Sequence, residues 1–222
     1  MPIGHVLYLH GFASSPASSK AAHFRRELEV RGVGFSCPDF NQPAFETLTV
    51  TRMLEQTAAA IAAAGRGPVA LLGSSLGAFV AVHAAAGSHP SCVPFADRIA
   101  RLVLLAPALD FGGNRLRQLG EHGIDEWRQT GKLRVFHYAD NLHRDIGFQL
   151  YEDAARYDAF TIQLAPPTLV FQGTRDASVD PAMVERWART QSNVELHLLD
   201  DDHQLAASVG RIWKEVETFL GV

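Results

Sequence analysis

The stretch Val69-Ala70-Leu71-Leu72-Gly73-Ser74-Ser75-Leu76-Gly77 joins a short apolar run to a segment rich in Ala and Val, and it decides the fold. The apolar run is typical of a buried β-strand, and the segment from Leu76 to Ala86 is typical of a helix. The pattern Gly-x-Ser-x-Gly between a strand and a helix predicts a serine raised on a sharp turn at the end of the strand. Only Ser75, and not Ser74, has a glycine two positions before it and two positions after it.

Short apolar runs alternate with segments of helical period on both sides of this stretch. We predict six strands, at about residues 6–9, 33–37, 69–72, 102–105, 168–171 and 194–199. Runs that are apolar on both faces and separated by helices indicate an α/β protein with a mostly parallel, doubly wound sheet and helices on both faces. Right-handed crossovers then bring the carboxyl ends of the strands to one edge of the sheet, where ligands bind.

One segment, residues 110–165, is too long for a single crossover and carries mixed charge. We predict an insertion after the fourth strand that forms a lid over the ligand-binding edge, hinged at Gly112-Gly113. The alternative is a surface excursion with no part in the site. Within the insertion we expect a short strand at 133–137 and a helix from Ile146 to Tyr157. No repeat or linker divides the sequence, so residues 1–222 are predicted to form one domain.

The serine on the turn requires a base, because a serine hydroxyl is a poor nucleophile until an oriented base accepts its proton. Asp176 follows the fifth predicted strand and His203 follows the sixth, so both lie on loops at the same edge as Ser75. We predict His203 as general base and then acid, and Asp176 as the carboxylate that orients the imidazole. Asp180 competes with Asp176, but it directly precedes Pro181, where a helix N-cap is favoured.

The stretch His10-Gly11-Phe12 follows the first strand and brings a backbone amide to the same edge. We predict the amides of Phe12 and Leu76 as the two donors of an oxyanion hole, and His10 as a hydrogen-bonding brace of its loop. The hydroxyl-rich run from Ala13 to Lys20 has two interpretations. It binds a phosphate or carboxylate of the substrate, or it is the capped start of a helix.

Composition excludes several classes of protein. The 222 residues are 47% hydrophobic and 20% charged, with a net charge of −4, and no region has the basic excess of a nucleic-acid surface. No apolar run is long enough to span a membrane, and no signal peptide is recognised. The two cysteines make no disulfide framework, and the ten histidines are scattered, so no metal site is predicted. We expect a cytoplasmic protein that binds neither nucleic acid nor membrane.

Four motifs together resemble the α/β-hydrolase superfamily: HGF at 10–12, GSSLG at 73–77, GTRD at 173–176 and DDDHQL at 200–205. The opening from Tyr8 to Ala21 is similar to that of the small bacterial YqiA-like esterase group, and the resemblance spans nearly the whole chain, weakest in the lid. It implies an α/β-hydrolase fold with strand order 2-1-3-4-5-6, an acyl-serine mechanism, and no metal or cofactor. Gln172 departs from the pattern, because many relatives have histidine before the glycine.

The sequence therefore predicts a carboxylesterase-like serine hydrolase of esters or thioesters with small acyl groups, acting as a monomer or homodimer. We expect lid-side residues to shape the acyl pocket, namely Asp110, Phe111, Phe148 and Tyr151. Fold and catalytic residues do not separate this reaction from those of a serine peptidase, a C–C hydrolase or a cofactor-free haloperoxidase. A hydrolase-fold protein that binds a ligand without catalysis also stays open.

Overall fold

The strands and helices below come from a computed structural model, which describes residues 3–112 and 119–222. Along the chain the strands are β1 (His5–Leu9), β2 (Gly34–Ser36), β3 (Val69–Ser74), β4 (Ile99–Leu105), β5 (Lys132–His137), β6 (Leu142–Gly147), β7 (Thr168–Gly173) and β8 (Val194–Leu199). The helices are α1 (Ser19–Val30), α2 (Val50–Ala63), α3 (Leu76–Ala85), α4 (Gly120–Thr130), α5 (Gln149–Ala154), α6 (Pro181–Arg189) and α7 (Val209–Leu220).

Six of these strands form the central sheet, in the order β2-β1-β3-β4-β7-β8, and every pairing within it is parallel. This is the predicted order, and it confirms the doubly wound parallel sheet. The central strand β3 is buried along its whole length, as its unbroken apolar sequence requires. The register pairs Leu9 of β1 with Gly73 of β3 and Gly173 of β7 with Leu199 of β8, so these strands end in matched pairs at one edge.

Helices cover both faces of the sheet, and each face has its own apolar core. On one face, Phe24 of α1 packs edge-on against Trp213 of α7, with ring centroids 6.1 Å apart. On the other face, the core contains Leu54 of α2, Phe79 of α3 and Trp187 of α6. Helix α3 is buried at every position because it lies under both the sheet and its neighbouring helices, which explains its uniformly apolar sequence.

Side-chain caps fix the starts of three helices. Ser18 accepts a hydrogen bond from the Ala21 amide, so α1 begins at Ser19. Thr49 caps α2 in the same way. Asp180 caps α6, with Pro181 in the first turn, where its missing N–H costs nothing.

The segment between β4 and β7 contains α4, an antiparallel hairpin of β5 and β6, and α5. The strand expected at 133–137 is present as β5. The helix expected from Ile146 begins only at Gln149, because residues 142–147 pair with β5 as a second strand. Asn141 makes the hairpin turn with a φ of 53°. Of the predicted hinge, Gly113 lies outside the described residues.

In the described part of the chain, the helices are all too short or too polar to cross a membrane.

Candidate active site

Ser75 stands on the sharp turn between β3 and α3. Its backbone has φ 53° and ψ −116°, a left-handed conformation that side chains rarely adopt. The turn is possible because glycines flank it: a Cβ on Gly77 would collide with the carbonyl oxygen of Leu9, and one on Gly73 would collide with the backbone of α3. The Ser75 amide donates to the carbonyl of Leu105 at 2.9 Å, which anchors the turn to the neighbouring strand β4.

A line of hydrogen bonds runs from Ser75 through His203 to Asp176. The Ser75 Oγ lies 3.1 Å from His203 Nε2, and His203 Nδ1 lies 2.8 Å from Asp176 Oδ2. An ionised carboxylate only accepts hydrogen bonds, so the Nδ1–H of His203 donates to it and leaves Nε2 to accept from the serine hydroxyl. The Asp176 side chain is fully buried, whereas 19% of the His203 side chain is exposed.

The Asp176 carboxylate is held by more than the histidine. Its Oδ1 accepts hydrogen bonds of 2.8 Å from the amides of Ser178 and Val179, in the loop after β7. Burial by itself would raise the pKa of Asp176, but the hydrogen bonds from His203 and Val179 outweigh burial, and the pKa falls below its ordinary value. Asp180 points elsewhere and accepts from the amide of Ala182 at 2.9 Å.

The loop that carries His203 is locked against the loop that carries Asp176. The Arg175 amide donates to the carbonyl of Asp201 at 3.0 Å, and a Cβ on Gly173 would lie only 2.5 Å from the same carbonyl oxygen. The Asp201 side chain is buried and accepts hydrogen bonds from the amides of Asp202 and Ser208. These contacts position the imidazole after the end of β8.

The two amides predicted to bind an oxyanion, those of Phe12 and Leu76, both adjoin Ser75. A Cβ on Gly11 would lie 3.3 Å from the Ser75 Cβ, so the loop after β1 passes directly against the serine. Across residues 3–112 and 119–222, neither amide donates to a protein acceptor. His10 is buried and braces this loop: its Nδ1 donates to the carbonyl of Gly11 at 2.9 Å, and its Nε2 accepts from the Phe40 amide.

An apolar pocket of about 270 Å³ opens at Ser75. Its described wall consists of Phe12, Ser75, Leu76, Phe111, Leu119, Trp127, Leu133, Val135, Ile146 and Leu150. Most of these side chains belong to the segment 110–165, which therefore covers this edge of the sheet.

Only one of the four residues predicted to shape this pocket, Phe111, lies in its wall. Asp110, Phe148 and Tyr151 do not, so that part of the prediction is corrected. The rings of Phe148 and Tyr151 stack on each other with centroids 5.3 Å apart, and both meet the indole of Trp127 edge-on. They form a layer behind Trp127, and the Trp127 side chain itself is part of the wall.

A second pocket of about 920 Å³ also has Ser75 in its wall. It is the more polar of the two, and we call it the polar pocket. It runs from Ser75 and His203 along the hydroxyl-rich stretch 14–20 to residues 135–139 at the tip of the hairpin. The two pockets share the side chains of Phe12, Ser75 and Val135. A substrate lying across Ser75 would therefore place one part on the apolar side and the other on the polar side.

Sequence reasoning missed two residues of the site. Gln172 donates through Nε2 to Asp176 Oδ2 at 3.0 Å, and its departure from the family pattern was the available signal. Trp127 forms part of the apolar wall, with its indole N–H donating to the carbonyl of Ile146 at 3.0 Å. Ile124 and Trp127, three residues apart on the buried face of α4, were the available signal for this helix.

Several solved structures share this fold at low sequence identity. Est1E from Butyrivibrio proteoclasticus with ferulic acid bound is 18% identical, with a TM-score of 0.82 over 99% of this chain and 88% of that one. Alpha/beta hydrolase domain-containing protein 10 from mouse is 18% identical, with a TM-score of 0.79 over 98% and 89%. The monoacylglycerol lipase of Paleococcus ferrophilus is 16% identical, with a TM-score of 0.75 over 98% and 93%.

These similarities confirm the α/β-hydrolase fold that the motifs predicted. Among curated proteins, no sequence matches this chain. The family model described as "Uncharacterised protein family (UPF0227)" matches residues 5–220. This match agrees with the resemblance to the YqiA-like group. Because the match spans nearly the whole sequence, the chain belongs to the UPF0227 family.

Proposed function

We propose that the protein is a serine hydrolase that cleaves carboxylic esters or thioesters of small acyl groups through an acyl-serine intermediate. The observation that carries the proposal is the hydrogen-bonded line from Ser75 through His203 to Asp176, on the strained turn at the sheet edge. An alcohol, an imidazole and a buried carboxylate in this order are the parts that nucleophilic acyl transfer needs.

In the proposed acylation step, the Ser75 Oγ attacks the carbonyl carbon of the substrate while its proton passes to His203 Nε2. The carbonyl oxygen becomes an oxyanion, which the amides of Phe12 and Leu76 stabilise. Such fixed donors act strongly where water is excluded, and loss of one donor typically costs about 3 kcal/mol. The tetrahedral intermediate then collapses: the bond to the alcohol or thiol breaks, and His203 gives that leaving group its proton.

Deacylation repeats the sequence with water. His203 accepts a proton from a water molecule as the water attacks the acyl carbon, and it returns the proton to Ser75 Oγ when the carboxylic acid leaves. The negative charge of Asp176 stabilises the imidazolium that forms in both steps. No group besides the chain's own residues, the ester and water enters this reaction.

The apolar pocket supports a short to medium acyl chain. A cavity of about 150 Å³ holds a benzene molecule, so the 270 Å³ of this pocket has room for an acyl group of about four to eight carbons. The structurally similar monoacylglycerol lipase is named for an ester substrate, which also favours ester cleavage. Cys37 and Cys92 are unpaired, in keeping with the cytoplasmic location that we propose.

The test is covalent labelling by a fluorophosphonate probe, followed by mass analysis of the intact protein. Wild type is expected to gain one probe adduct, and Ser75→Ala is expected to gain none. Ser74→Ala, which changes the neighbouring serine of the same turn, is expected to gain one adduct like wild type. Wild type is also expected to hydrolyse p-nitrophenyl butanoate faster than the dodecanoate. An unlabelled wild type would favour a binding protein, and cleavage of peptides without cleavage of esters would favour a peptidase.

A further inference from the structure

The two pockets at Ser75 differ in which catalytic group they contain. His203 lines the polar pocket and not the apolar one. In the proposed mechanism, His203 protonates the leaving alcohol or thiol, so that half of the substrate must lie on the side where His203 stands. The polar pocket therefore receives the leaving group, and its 920 Å³ admits a group larger than the acyl chain.

The wall of the polar pocket carries one fixed charge among the residues that the structure describes, the amine of Lys20. No aspartate or glutamate belongs to that described wall. Four serines of the stretch 14–20 accompany the amine in this wall: Ser14, Ser15, Ser18 and Ser19. Ser15 accepts the Ala17 amide at its hydroxyl oxygen and keeps its own proton to donate, whereas the Ser18 hydroxyl accepts the Ala21 amide and also interacts with Tyr8. The pocket thus offers a cation and several hydroxyl donors.

Lys20 occupies an unfavourable position for a lysine that serves only the fold. It lies in the first turn of α1, where the helix dipole disfavours positive charge. Burial lowers the pKa of its amine to about 8, although the carboxylates of Asp202, Asp176 and Asp201 partly oppose that effect. These three carboxylates act on the amine through space, and the hydrogen bond of the amine goes to a backbone carbonyl.

We propose that the polar pocket binds a leaving group that carries an anion, a carboxylate or a phosphate, paired with Lys20. This inference rests on the proposed hydrolase function and names the half of the substrate that the motifs left open. It also unites the two interpretations of residues 13–20: Ser18 caps α1, and the same capped turn presents Lys20 to the substrate.

The competing role for Lys20 is structural. Its amine donates to the carbonyl of Gln204 at 2.8 Å, next to His203, so it also braces the catalytic loop. A brace supports every substrate equally, whereas an anion site discriminates by charge. The ratio of kcat/KM for a charged ester to that for a neutral ester separates the two, because any damage to His203 cancels in the ratio.

The experiment compares 4-(butanoyloxy)benzoate with 4-(butanoyloxy)benzamide, which have the same acyl group and similar shape. Wild type is expected to prefer the benzoate, Lys20→Met to lower the benzoate-to-benzamide ratio at least tenfold, and Lys20→Arg to keep most of the preference. Lys214→Met is the control, because Lys214 is exposed on α7 and its loss changes the net charge equally. An unchanged ratio in Lys20→Met overturns the inference, even if both rates fall.

A binding measurement makes the result independent of turnover. Calorimetry on Ser75→Ala is expected to show tighter binding of 4-hydroxybenzoate than of 4-hydroxybenzamide, and the double variant with Lys20→Met is expected to lose that difference. 4-Hydroxyphenylphosphonate is measured as a third ligand. Whether it or 4-hydroxybenzoate binds more tightly shows whether the pocket prefers a phosphate-like group or a carboxylate. If binding depends on Lys20 but the wild type cleaves neither ester, the anion site is supported and the hydrolase function is refuted. Cleavage of both esters without charge preference refutes the anion site alone.

Discussion

Gln172 Nε2 donates a hydrogen bond of 3.0 Å to Asp176 Oδ2, the same carboxylate oxygen that accepts from His203. The glutamine side chain is completely buried, and its Nε2 also donates to the carbonyl of Gly173. The orientation of the carboxylate thus depends on a side chain that never touches the substrate. Gln172 is a positioning residue, and it stands where the sequence departs from its family pattern.

Replacement of this donor should slow catalysis without weakening substrate binding. We expect Gln172→Met, of similar length, to lower kcat about ten- to a hundredfold with KM unchanged, because a hydrogen bond to a charged group is worth about 1.5–3 kcal/mol. In Gln172→Glu, the new carboxyl can donate to Asp176 only while protonated, so its deficit in kcat should grow as pH rises. Steady-state kinetics across pH measures both effects. Full kcat in both variants would remove the positioning role.

The choice between the two carboxylates after β7 can be tested by matched amides. Asp176→Asn should lower kcat about ten-thousandfold, since the amide favours the wrong imidazole tautomer and cannot stabilise the imidazolium. Asp180→Asn should keep kcat within twofold, because asparagine caps a helix about as well as aspartate. The measurement is ester hydrolysis under saturating substrate, with circular dichroism to confirm folding. Loss of turnover only in Asp180→Asn would reverse the assignment.

Gly77, two residues after Ser75, should not tolerate a side chain. In Gly77→Ala, the added Cβ would collide with the carbonyl oxygen of Leu9, so strand β1 or helix α3 must shift. We expect a loss of about 3 kcal/mol or more in the free energy of unfolding, at the upper end for an overpacked site. Gly210→Ala is the control: its Cβ would meet no atom, and alanine in a helix should stabilise by about 0.5–1 kcal/mol. Urea unfolding measures the stability of both variants and of wild type. Equal unfolding midpoints for Gly77→Ala and wild type would contradict the steric argument.

The central sheet and the line of hydrogen bonds from Ser75 to Asp176 could be predicted because burial leaves a strong trace in the sequence. Strands covered on both faces, such as β3, become continuous apolar runs, and the residues just after them fall at one edge. Ser75 and Asp176 follow such runs, and His203 follows β8, the half-exposed outer strand of the same parallel sheet, so their meeting place followed from topology. The hydrogen-bond distances did not, because they depend on the loop contacts around Asp201 and Gly173.

The insertion could be predicted only in outline, because it is stabilised by contacts that local sequence does not encode. Strand β6 includes His143, Arg144 and Asp145, and it becomes a strand by pairing with β5. Arg144 also forms an ion pair of 2.9 Å with Glu46, far away in sequence. The wall of the apolar pocket depends on this packing. Local sequence therefore does not show that Trp127, and not Phe148, lies in the wall.

The size of the apolar pocket should control acyl preference. Leu133 lines the pocket from β5, opposite Ile146 of β6. Leu133→Ala should move the best substrate in a p-nitrophenyl ester series towards longer chains, and Leu133→Phe towards shorter ones. Leu142 belongs to the same hairpin but is exposed and lies outside the pocket, so Leu142→Ala should keep the acyl-chain preference of wild type. If Leu133→Ala and Leu142→Ala share the wild-type optimum, the acyl chain does not occupy this pocket.

The charge preference of the polar pocket should itself depend on pH. The pKa of Lys20 is about 8, so its amine is charged at pH 7 and largely neutral at pH 9. The benzoate-to-benzamide ratio of kcat/KM, which reports the free enzyme, should therefore fall as pH rises through 8. His203 lines the same pocket, but any effect it has on the rate is shared by the two esters and cancels in the ratio. Asp176, Asp201 and Asp202 act on the amine through space. The pKa values of Asp176 and Asp201 lie below their ordinary values, so these two carboxylates stay ionised from pH 7 to 9. Lys20→Arg keeps its charge, so its ratio should stay level from pH 7 to 9. A level ratio in wild type would show that the amine does not meet the substrate's anion.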